Sequence, residues 1–240
     1  MKRQNFRMLL LLTAMLLFPI TIYYFSPAII IQGAMKGIVT GSFIVFAVML
    51  VGSIFFGRLF CGYLCPAGGL QECAIHVNDK SPKQGWKNNI KYVTWLIWII
   101  IIIVCFIFRK QKLTIDFFSM TDHGISIANI KDYVIYYGVV LLFFAPSIVL
   151  GKRIMCHYFC WMAPFMIIGS KIGNLLHIKR LRLKADKSAC INCHICDKHC
   201  PMSLKVAEKV KIGDMYDNEC ILCGSCIDNC PKKAINYKMM

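Results

Sequence analysis

Two runs of cysteine near the C-terminal end of the chain share one spacing, C-x2-C-x2-C-x3-C-P, and lie thirty residues apart. Their members are Cys190, Cys193, Cys196, Cys200 and Pro201, followed by Cys220, Cys223, Cys226, Cys230 and Pro231. This spacing is typical of proteins that hold [4Fe–4S] clusters through cysteine thiolates. The chemistry it indicates is the transfer of single electrons.

In two-cluster proteins with this spacing, three cysteines of one run and the fourth of the other share a cluster. The predicted ligands are Cys190, Cys193, Cys196 and Cys230 for cluster 1, and Cys220, Cys223, Cys226 and Cys200 for cluster 2. Structural zinc sites commonly pair one C-x2–4-C with a distant second pair, and disulfides are disfavoured in a reducing cytosol. His194 and His199 lie among these cysteines, but eight thiols already complete both sets. The sequence therefore predicts two [4Fe–4S] clusters.

A second spacing, C-x3-C, occurs twice in the apolar part of the chain. The first copy, Arg58, Cys61, Tyr63 and Cys65, recurs 95 residues later as Arg153, Cys156, Tyr158 and Cys160. Cysteines four apart on a helix share a face, so two packed copies would bring four thiols together. We predict a membrane redox or metal site there, either a third metal centre or thiols that cycle between dithiol and disulfide.

The alternative for these four cysteines is packing as small buried apolar residues. The copies also differ, because Pro66 follows Cys65 directly whereas Trp161 follows Cys160, which predicts a different backbone turn in the second copy. His157, between the paired cysteines of the second copy, is a candidate ligand or hydrogen-bond donor.

Two further cysteines and the absence of nucleotide motifs complete the inventory of chemical groups. Cys73 and Cys105 have no partner in the pattern, and Cys105 is expected to pack within a helix. Neither G-x-G-x-x-G nor a Walker sequence occurs, and no catalytic base or nucleophile stands out. We therefore predict an electron-transfer subunit or relay, with no catalytic residue assigned.

The elements that must position these groups are membrane helices. Of the 240 residues, 58% are hydrophobic and 17% are charged, against about 45–50% and about 25% in soluble domains. This balance excludes a disordered chain and, given its length, a small secreted disulfide scaffold. Runs without charge predict four spans, at 8–25, 37–57, 90–108 and 133–151. The first span could instead be a signal peptide, but its charge-free stretch is too long and no A-x-A-like site follows.

The basic residues predict the orientation of these spans. Segments 1–7, 58–91 and 152–187 hold 3, 5 and 8 Lys or Arg, whereas 26–36 and 109–132 hold 1 and 4. The positive-inside rule then places both termini in the cytoplasm. The net charge of +16 therefore has a topological explanation, and with no nucleic-acid motif we expect no nucleic acid partner.

The predicted fold class is an α-helical membrane protein with a C-terminal α+β two-cluster bacterial ferredoxin-like domain. Four transmembrane helices in two parallel repeats would occupy residues 1–170, because two spans per repeat preserve orientation. Residues 171–187 form a basic interfacial linker, and residues 188–240 form the ferredoxin-like domain. Within the latter, Met202–Val210 is predicted to be a helix between the two cluster loops.

Four spans, two C-x3-C segments and a pair of ferredoxin motifs together resemble the NapH/NosR-type membrane polyferredoxin family of 4Fe-4S binding membrane proteins. The most diagnostic part is the segment RLFCGYLCP, Arg58–Pro66. The resemblance implies a multi-pass protein of a bacterial or archaeal cytoplasmic membrane. It also implies that electrons pass between membrane quinol and respiratory redox partners. A related group with similar membrane cysteines is implicated in copper reduction during oxidase assembly.

Three functional hypotheses follow. The first is an iron–sulfur electron-transfer protein that relays electrons between a cytoplasmic or quinol donor and a membrane or periplasmic redox partner. The second is a copper- or metal-reducing protein or metalloenzyme-assembly factor, in which the membrane thiols bind the metal. The third is a regulator whose clusters sense redox state. Under each, the expected partners are the lipid bilayer and an unidentified redox protein, with quinol as a further candidate.

Overall fold

In a computed structural model of the protein, residues 2–82, 85–109 and 112–239 are described. The first elements are α1 (Lys2–Leu16), α2 (Phe18–Thr21), a 3₁₀ turn (Ile22–Phe25), α3 (Pro27–Lys36), β1 (Ile38–Thr40), α4 (Gly41–Phe56), α5 (Leu59–Tyr63) and α6 (Pro66–Ile75). They are followed by a 3₁₀ turn (Trp86–Asn89), α7 (Ile90–Ile107), β2 (Thr114–Asp116), α8 (Asp132–Leu150), α9 (Ile154–Tyr158) and α10 (Ala163–Leu175). The C-terminal part contains β3 (Leu181–Ala185), α11 (Ile195–Lys198), α12 (Val206–Ile212), α13 (Ser225–Asp228) and β4 (Ile235–Met239).

Two to three candidate membrane spans are present in the described part of the chain. Trp86–Ile107 and Asp132–Leu150 are long and apolar enough to cross a bilayer and correspond to the predicted spans 90–108 and 133–151. Lys2–Leu16 and Phe18–Phe25 are a third candidate, bent by 60° where Pro19 interrupts the helix. The predicted span 37–57 begins with β1 and continues as α4, which is shorter. The four-span arrangement stays a prediction.

The helices that follow the two C-x3-C segments exchange partners. α10 packs along α4 of the first half, and α6 packs both on α8 of the second half and on α1 of its own half. Gly173 of α10 permits this approach, because a Cβ there would lie 2.6 Å from the carbonyl oxygen of Ile54. Asn78, after α6, donates a hydrogen bond to the carbonyl oxygen of Ile148 at 2.6 Å. The two halves of the membrane part are therefore interlocked around their cysteines.

The two C-x3-C segments fold alike up to the second cysteine. The amide of Cys65 donates to the carbonyl oxygen of Phe60 at 3.1 Å, and the amide of Cys160 donates to that of Met155 at 2.9 Å. The predicted difference in backbone follows the second cysteine, because α6 begins at Pro66 but α10 only at Ala163. The expectation that both cysteines of a pair lie on one helix is wrong, since α5 and α9 end two residues before the second cysteine.

The C-terminal part repeats its backbone every thirty residues. β3 and β4 pair antiparallel, from Leu181 opposite Met239 to Ala185 opposite Ile235, and close this part into one unit. Between them, left-handed residues recur in pairs thirty positions apart: Asn192 and Leu222, His194 and Gly224, Ser203 and Lys233. The left-handed conformation of Ser203, with a φ of 51°, delays the helix predicted at Met202–Val210 until Val206.

Candidate functional site

Two cavities in the C-terminal part are each lined by four cysteines. The first, here called the outer cavity, is lined by Cys190, Cys193, Cys196 and Cys230. The second, called the inner cavity, is lined by Cys200, Cys220, Cys223 and Cys226. Each set combines three cysteines of one motif with the fourth of the other, as the spacing predicts. Four thiols around one cavity are the donor set that a [4Fe–4S] cluster takes, so the residues present fit that group.

The fourth cysteine of each motif receives a backbone hydrogen bond at its sulfur. The amide of Leu204 donates to the Sγ of Cys200 at 3.5 Å, and the amide of Ala234 donates to the Sγ of Cys230 at 3.3 Å. Such bonds favour the thiolate form of cysteine, and in iron–sulfur proteins they tune the reduction potential. The two motifs are therefore equivalent in local geometry.

Burial holds several of these thiols in their protonated form. It raises the pKa of Cys200 and Cys220 to about 12. The pKa of Cys196 rises to about 11, first through burial and then through the neighbouring carboxylate of Asp197. Burial disfavours the charged thiolate, so these thiols lose their proton only when a positively charged partner such as iron binds to the sulfur.

The inner cavity is sealed against the membrane part. The carbonyl oxygen of Cys223 accepts hydrogen bonds from the Nε2 of Gln4 at 3.1 Å and from the Oη of Tyr63 at 3.4 Å. The carbonyl oxygen of Ile221 lies against Gly62, where a Cβ would overlap it. Only glycine therefore allows the inner cysteine loop to approach the segment between Cys61 and Cys65.

A buried ion pair fastens the same loop. Arg58 donates through Nη1 to the Oε2 of Glu219 and to the carbonyl oxygen of Asn218, both at 3.0 Å, and Lys91 donates to the Oε1 of Glu219. Burial alone would raise the pKa of Glu219, but the two cations hold it below its usual range. The carboxylate therefore stays charged where the C-terminal part meets the membrane part.

The four membrane thiols lie in one buried apolar cluster: Cys61, Cys65, Cys156 and Cys160. Burial and the adjoining thiols raise the pKa of Cys65 well above its usual value, and burial with its neighbours raises that of Cys160 to about 12. The Sγ of Cys61 lies 3.8 Å from the Sδ of Met166, and the Nε2 of Gln71 lies 3.2 Å from the Sγ of Cys156. The structure thus brings together the four cysteines that the repeat singles out.

A second buried carboxylate, which sequence reasoning missed, lies beside these thiols. Glu72 is bound by Arg7 at 2.6 Å and by Arg153 at 2.5 Å. Arg153 also donates to the carbonyl oxygen of Cys61 at 2.9 Å, and Arg7 donates to that of Gly62 at 3.1 Å. Glu72 is the first acidic residue of the chain and stands in an apolar segment, a signal that could have identified it.

Three other candidate residues from the sequence remain: Cys73, Cys105 and His157. Cys73 and Cys105 are half-buried free thiols, and all fourteen cysteines, each of them described, are free. His157 is buried, which lowers its pKa to about 4 and keeps the ring neutral at physiological pH. Among residues 2–82, 85–109 and 112–239, no three His, Cys, Asp or Glu side chains are placed to hold a single metal ion. The predicted third metal centre therefore gains no support.

Two family models match the chain over its cysteine segments. Residues 38–84 match a model described as a 4Fe-4S binding domain, and residues 189–235 match one described as a 4Fe-4S dicluster domain. The first range contains Cys61 and Cys65, and the second contains all eight cysteines of the two cavities. The two matches thus support the binding of iron–sulfur clusters by this chain.

Several relatives share most of this chain at low identity. An uncharacterized protein of Methanocaldococcus jannaschii is 26% identical over 198 residues, 79% of this chain and 76% of that protein. The putative electron transport protein YccM of Escherichia coli is 20% identical over 213 residues, 84% of this chain and 57% of YccM. The ferredoxin-type protein NapH of Haemophilus influenzae is 22% identical over 196 residues, 79% of this chain and 65% of NapH. The match therefore spans less than two thirds of YccM and NapH, and no solved structure matches the chain.

Proposed function

We propose that this chain, a relative of the NapH-like 4Fe-4S membrane proteins, is a membrane-bound iron–sulfur electron-transfer protein. The observation that carries the proposal is the placement of the two four-cysteine cavities. One includes the exposed Cys193, and the loop that forms the other packs on the segment between two of the buried membrane thiols, Cys61 and Cys65. This order of sulfur groups provides a route from the protein surface into the membrane part.

The ligands in this proposal are Cys190, Cys193, Cys196 and Cys230 in the outer cavity, and Cys200, Cys220, Cys223 and Cys226 in the inner cavity. A bound [4Fe–4S] cluster supplies the ability to take up and release one electron, with a potential set by its surroundings. The chain holds the ligands in place, donates amide hydrogen bonds to two of their sulfur atoms, and buries three of the four inner cysteines: Cys200, Cys223 and Cys226.

The outer loop is suited to meet a soluble partner. Cys193 is exposed, and its neighbour Ile191 is 57% exposed. The inner loop meets the membrane part, where Arg58 and Glu219 fix its position. In our proposal electrons pass between a cytoplasmic or quinol donor and a membrane or periplasmic redox partner, and the four membrane thiols form a relay at the membrane edge.

The proposed setting is the cytoplasmic membrane of a bacterium or archaeon, crossed several times, with both termini in the cytoplasm. The distribution of Lys and Arg supports this orientation. The proposed division is a membrane domain at 1–170, a basic linker at 171–187 and a two-cluster domain at 188–240. Four spans are part of this proposal, the shorter helix Gly41–Phe56 being one of them.

A second candidate function, metal reduction, is favoured by one contact. The thioether of Met166 lies 3.8 Å from the thiol of Cys61. Thiolate and thioether are soft ligands, and Cu(I) is one of the metals that such ligands favour, with zinc and iron–sulfur clusters. In this alternative, the membrane thiols and Met166 bind copper while the C-terminal cysteines hold the source of electrons.

The first experiment measures iron and acid-labile sulfide on full-length protein purified anaerobically. We expect about eight iron atoms per chain, and a colourless, iron-free protein would contradict the proposal. The reduced protein in lipid nanodiscs is then mixed with menadione, and cluster reoxidation is followed by its visible absorbance. Cys61→Ser should slow this step at least about tenfold relative to Cys105→Ser, a control for an unpartnered thiol. Equal rates would remove the membrane thiols from the route.

Copper reduction is tested separately, by following the Cu(I) complex of bathocuproine after Cu(II) is added to the reduced protein. Met166→Leu preserves the size and apolar character of the side chain but removes the thioether. Loss of copper reduction in this variant, with unchanged reoxidation by menadione, would favour the second function. Unchanged copper reduction would exclude a role for Met166.

A further inference from the structure

A cavity of about 180 Å³ lies at the joint between the membrane part and the C-terminal part, beside the inner cavity, with which it shares Leu183 and Cys220. Its walls come from the end of α4, the end of α10, β3 and the segment that precedes the inner cysteine loop. The residues that matter here are Gly57, Arg58, Ser170, Arg180, Arg182 and Tyr216. Nothing in the electron-transfer proposal uses this cavity.

Three arginines that line the cavity carry N–H groups that have no acceptor among residues 2–82, 85–109 and 112–239. Arg180 is 3% exposed; its Nη1 donates to the carbonyl oxygen of Ser170 at 2.7 Å, and its Nε has no partner among the described residues. Arg182 donates through Nη2 to Asn174, and its buried Nε is likewise unpartnered within the described chain. Arg58 is 2% exposed, and only its Nη1 is satisfied by described groups.

Unsatisfied guanidinium groups at such depth indicate a missing acceptor. A buried donor without a partner is costly, and native proteins provide nearly every such group with protein, water or ligand. Here the donors belong to three side chains, from two structural parts, that all line one cavity. An acceptor able to reach all of them must carry several oxygen atoms.

The charge of the cavity wall favours an anion. The acidic residues on the wall are already engaged: Asp217 pairs with Lys209 at 3.0 Å, and Asp214 accepts the amide of Tyr216 at 2.9 Å. The guanidinium of Arg180 lies 5.2 Å over the ring of Tyr216, which fixes its plane. Burial, and then the neighbouring Arg182, lower the pKa of Arg180, and a bound anion would oppose both effects.

We propose that this cavity is a binding site for a phosphate group, supplied by an anionic phospholipid headgroup or by a free phosphate ester. Arginine donors match the tetrahedral oxygens of phosphate in geometry and charge. The cavity adjoins the basic segment 171–187, in which Leu175 and Leu176 are exposed, as expected for a segment that lies on lipid. A bound phosphate would join Arg58 of the membrane part to Arg180 and Arg182 of the C-terminal part.

The test uses the full-length protein in two arms that distinguish the sources. In the lipid arm, nanodiscs of phosphatidylcholine are compared with nanodiscs that also contain phosphatidylglycerol. In the free-anion arm, inorganic phosphate is compared with chloride at equal ionic strength in detergent. Thermal unfolding and native mass spectrometry report binding in both arms. We expect the melting temperature to rise by several degrees, with a retained phosphorus-containing adduct, in at least one arm.

A matched pair of variants locates the site. Arg180→Gln and Lys179→Gln remove the same charge at adjacent positions, but Arg180 is buried in the cavity wall whereas Lys179 is exposed. The melting shift and the adduct should be lost in Arg180→Gln and kept in Lys179→Gln. Equal responses of the two variants would overturn the proposal. If Arg180→Gln fails to fold, the wild-type protein decides: no shift and no adduct in either arm overturns the site.

Discussion

The outer and inner cysteine loops have one spacing and one backbone but opposite surroundings. Asn192 and Leu222 share a left-handed conformation, as do His194 and Gly224. Yet Ile191 of the outer loop is 57% exposed, whereas the equivalent Ile221 of the inner loop is 1% exposed. The spacing therefore determines how the thiols are arranged around a cavity, and the rest of the chain determines what can reach that cavity.

The difference originates in the membrane part, which packs over the inner loop, whereas it reaches the outer motif through a hydrogen bond from the Nζ of Lys152 to the carbonyl oxygen of Lys198 at 3.1 Å. Gly62, Tyr63 and Gln4 approach the inner loop, and Glu219 immediately before it is held by two buried cations. An exposed site can exchange electrons with a diffusing partner, while a sealed site is protected from water and from wrong partners. Two copies of one motif thus acquire complementary roles through their neighbours.

The largest effect is expected from removing one ligand in each loop. Cys220→Ser and Cys190→Ser should each reduce the iron content from about eight to about four atoms per chain, because each disrupts one cluster. The variants should differ in transfer: Cys220→Ser should slow reoxidation of the outer cluster by menadione, since the connection to the membrane thiols is lost and only direct collision at the exposed loop remains. In Cys190→Ser the inner cluster should still react. Equal rates in both variants would show that the loops have no order along the route.

The charged contacts of the inner loop should contribute more to stability than those at its edge. Glu219→Gln leaves Arg58 and Lys91 buried without a carboxylate, and should cost about 3–5 kcal/mol. Asp228→Asn, the matched change, removes only a partly exposed pair with Arg3 and should cost about 0–1 kcal/mol. Unfolding in denaturant, monitored by proteolysis of the linker at 171–187, measures the stability cost of both substitutions. A small cost for Glu219→Gln would mean that this ion pair does not fasten the loop.

Equivalent apolar residues provide a direct test of the asymmetry in burial. Ile221→Ala should destabilise the docked inner loop by about 2–5 kcal/mol, because it opens a cavity in a packed contact. Ile191→Ala, at the same position of the outer loop, should change stability by less than about 0.5 kcal/mol. The same unfolding assay applies. Similar costs at both positions would indicate that the outer loop is also covered.

Removal of iron should reveal a smaller, chemical difference between the loops. At pH 8, a thiol with a pKa of about 12, such as Cys220, is ionised in about one molecule in ten thousand. After anaerobic chelation, exposed Cys193 should therefore react with iodoacetamide well before Cys220, as peptide mass spectrometry would show. Raising the pH should increase the rate at Cys220 about tenfold per unit, since its thiolate fraction rises in proportion. Equal rates at pH 8 would contradict the sealing of the inner cavity.

The spacing of the cysteines allowed their groups to be predicted. It did not allow prediction of the residues that pack around those groups. The two ligand sets and the four membrane thiols could be proposed because C-x2-C-x2-C-x3-C-P and the 95-residue repeat are visible in the chain. The packing of the inner loop on Gly62 could not be predicted, since a single glycine in the sequence does not indicate which segment approaches it. Glu72 was missed for a related reason: its partners, Arg7 and Arg153, are far from it in sequence.

The shape of the membrane part was also predicted incompletely. Hydropathy identifies Trp86–Ile107 and Asp132–Leu150 well, because each is a long uninterrupted apolar helix. It does not anticipate the bend after Leu16 or the exchange of α6 and α10, which depend on packing between distant segments. The cavity lined by Arg180 could not be predicted for the same reason, since it forms only where the membrane part meets the C-terminal part.

The exchange of α6 and α10 between the two halves constrains how the protein is made. A nascent chain that has emerged only as far as α6 has α1 but lacks α8, the second helix on which α6 packs, and its first cysteine pair has no counterpart. Assembly of the thiol group must therefore wait until about two thirds of the polypeptide has left the ribosome.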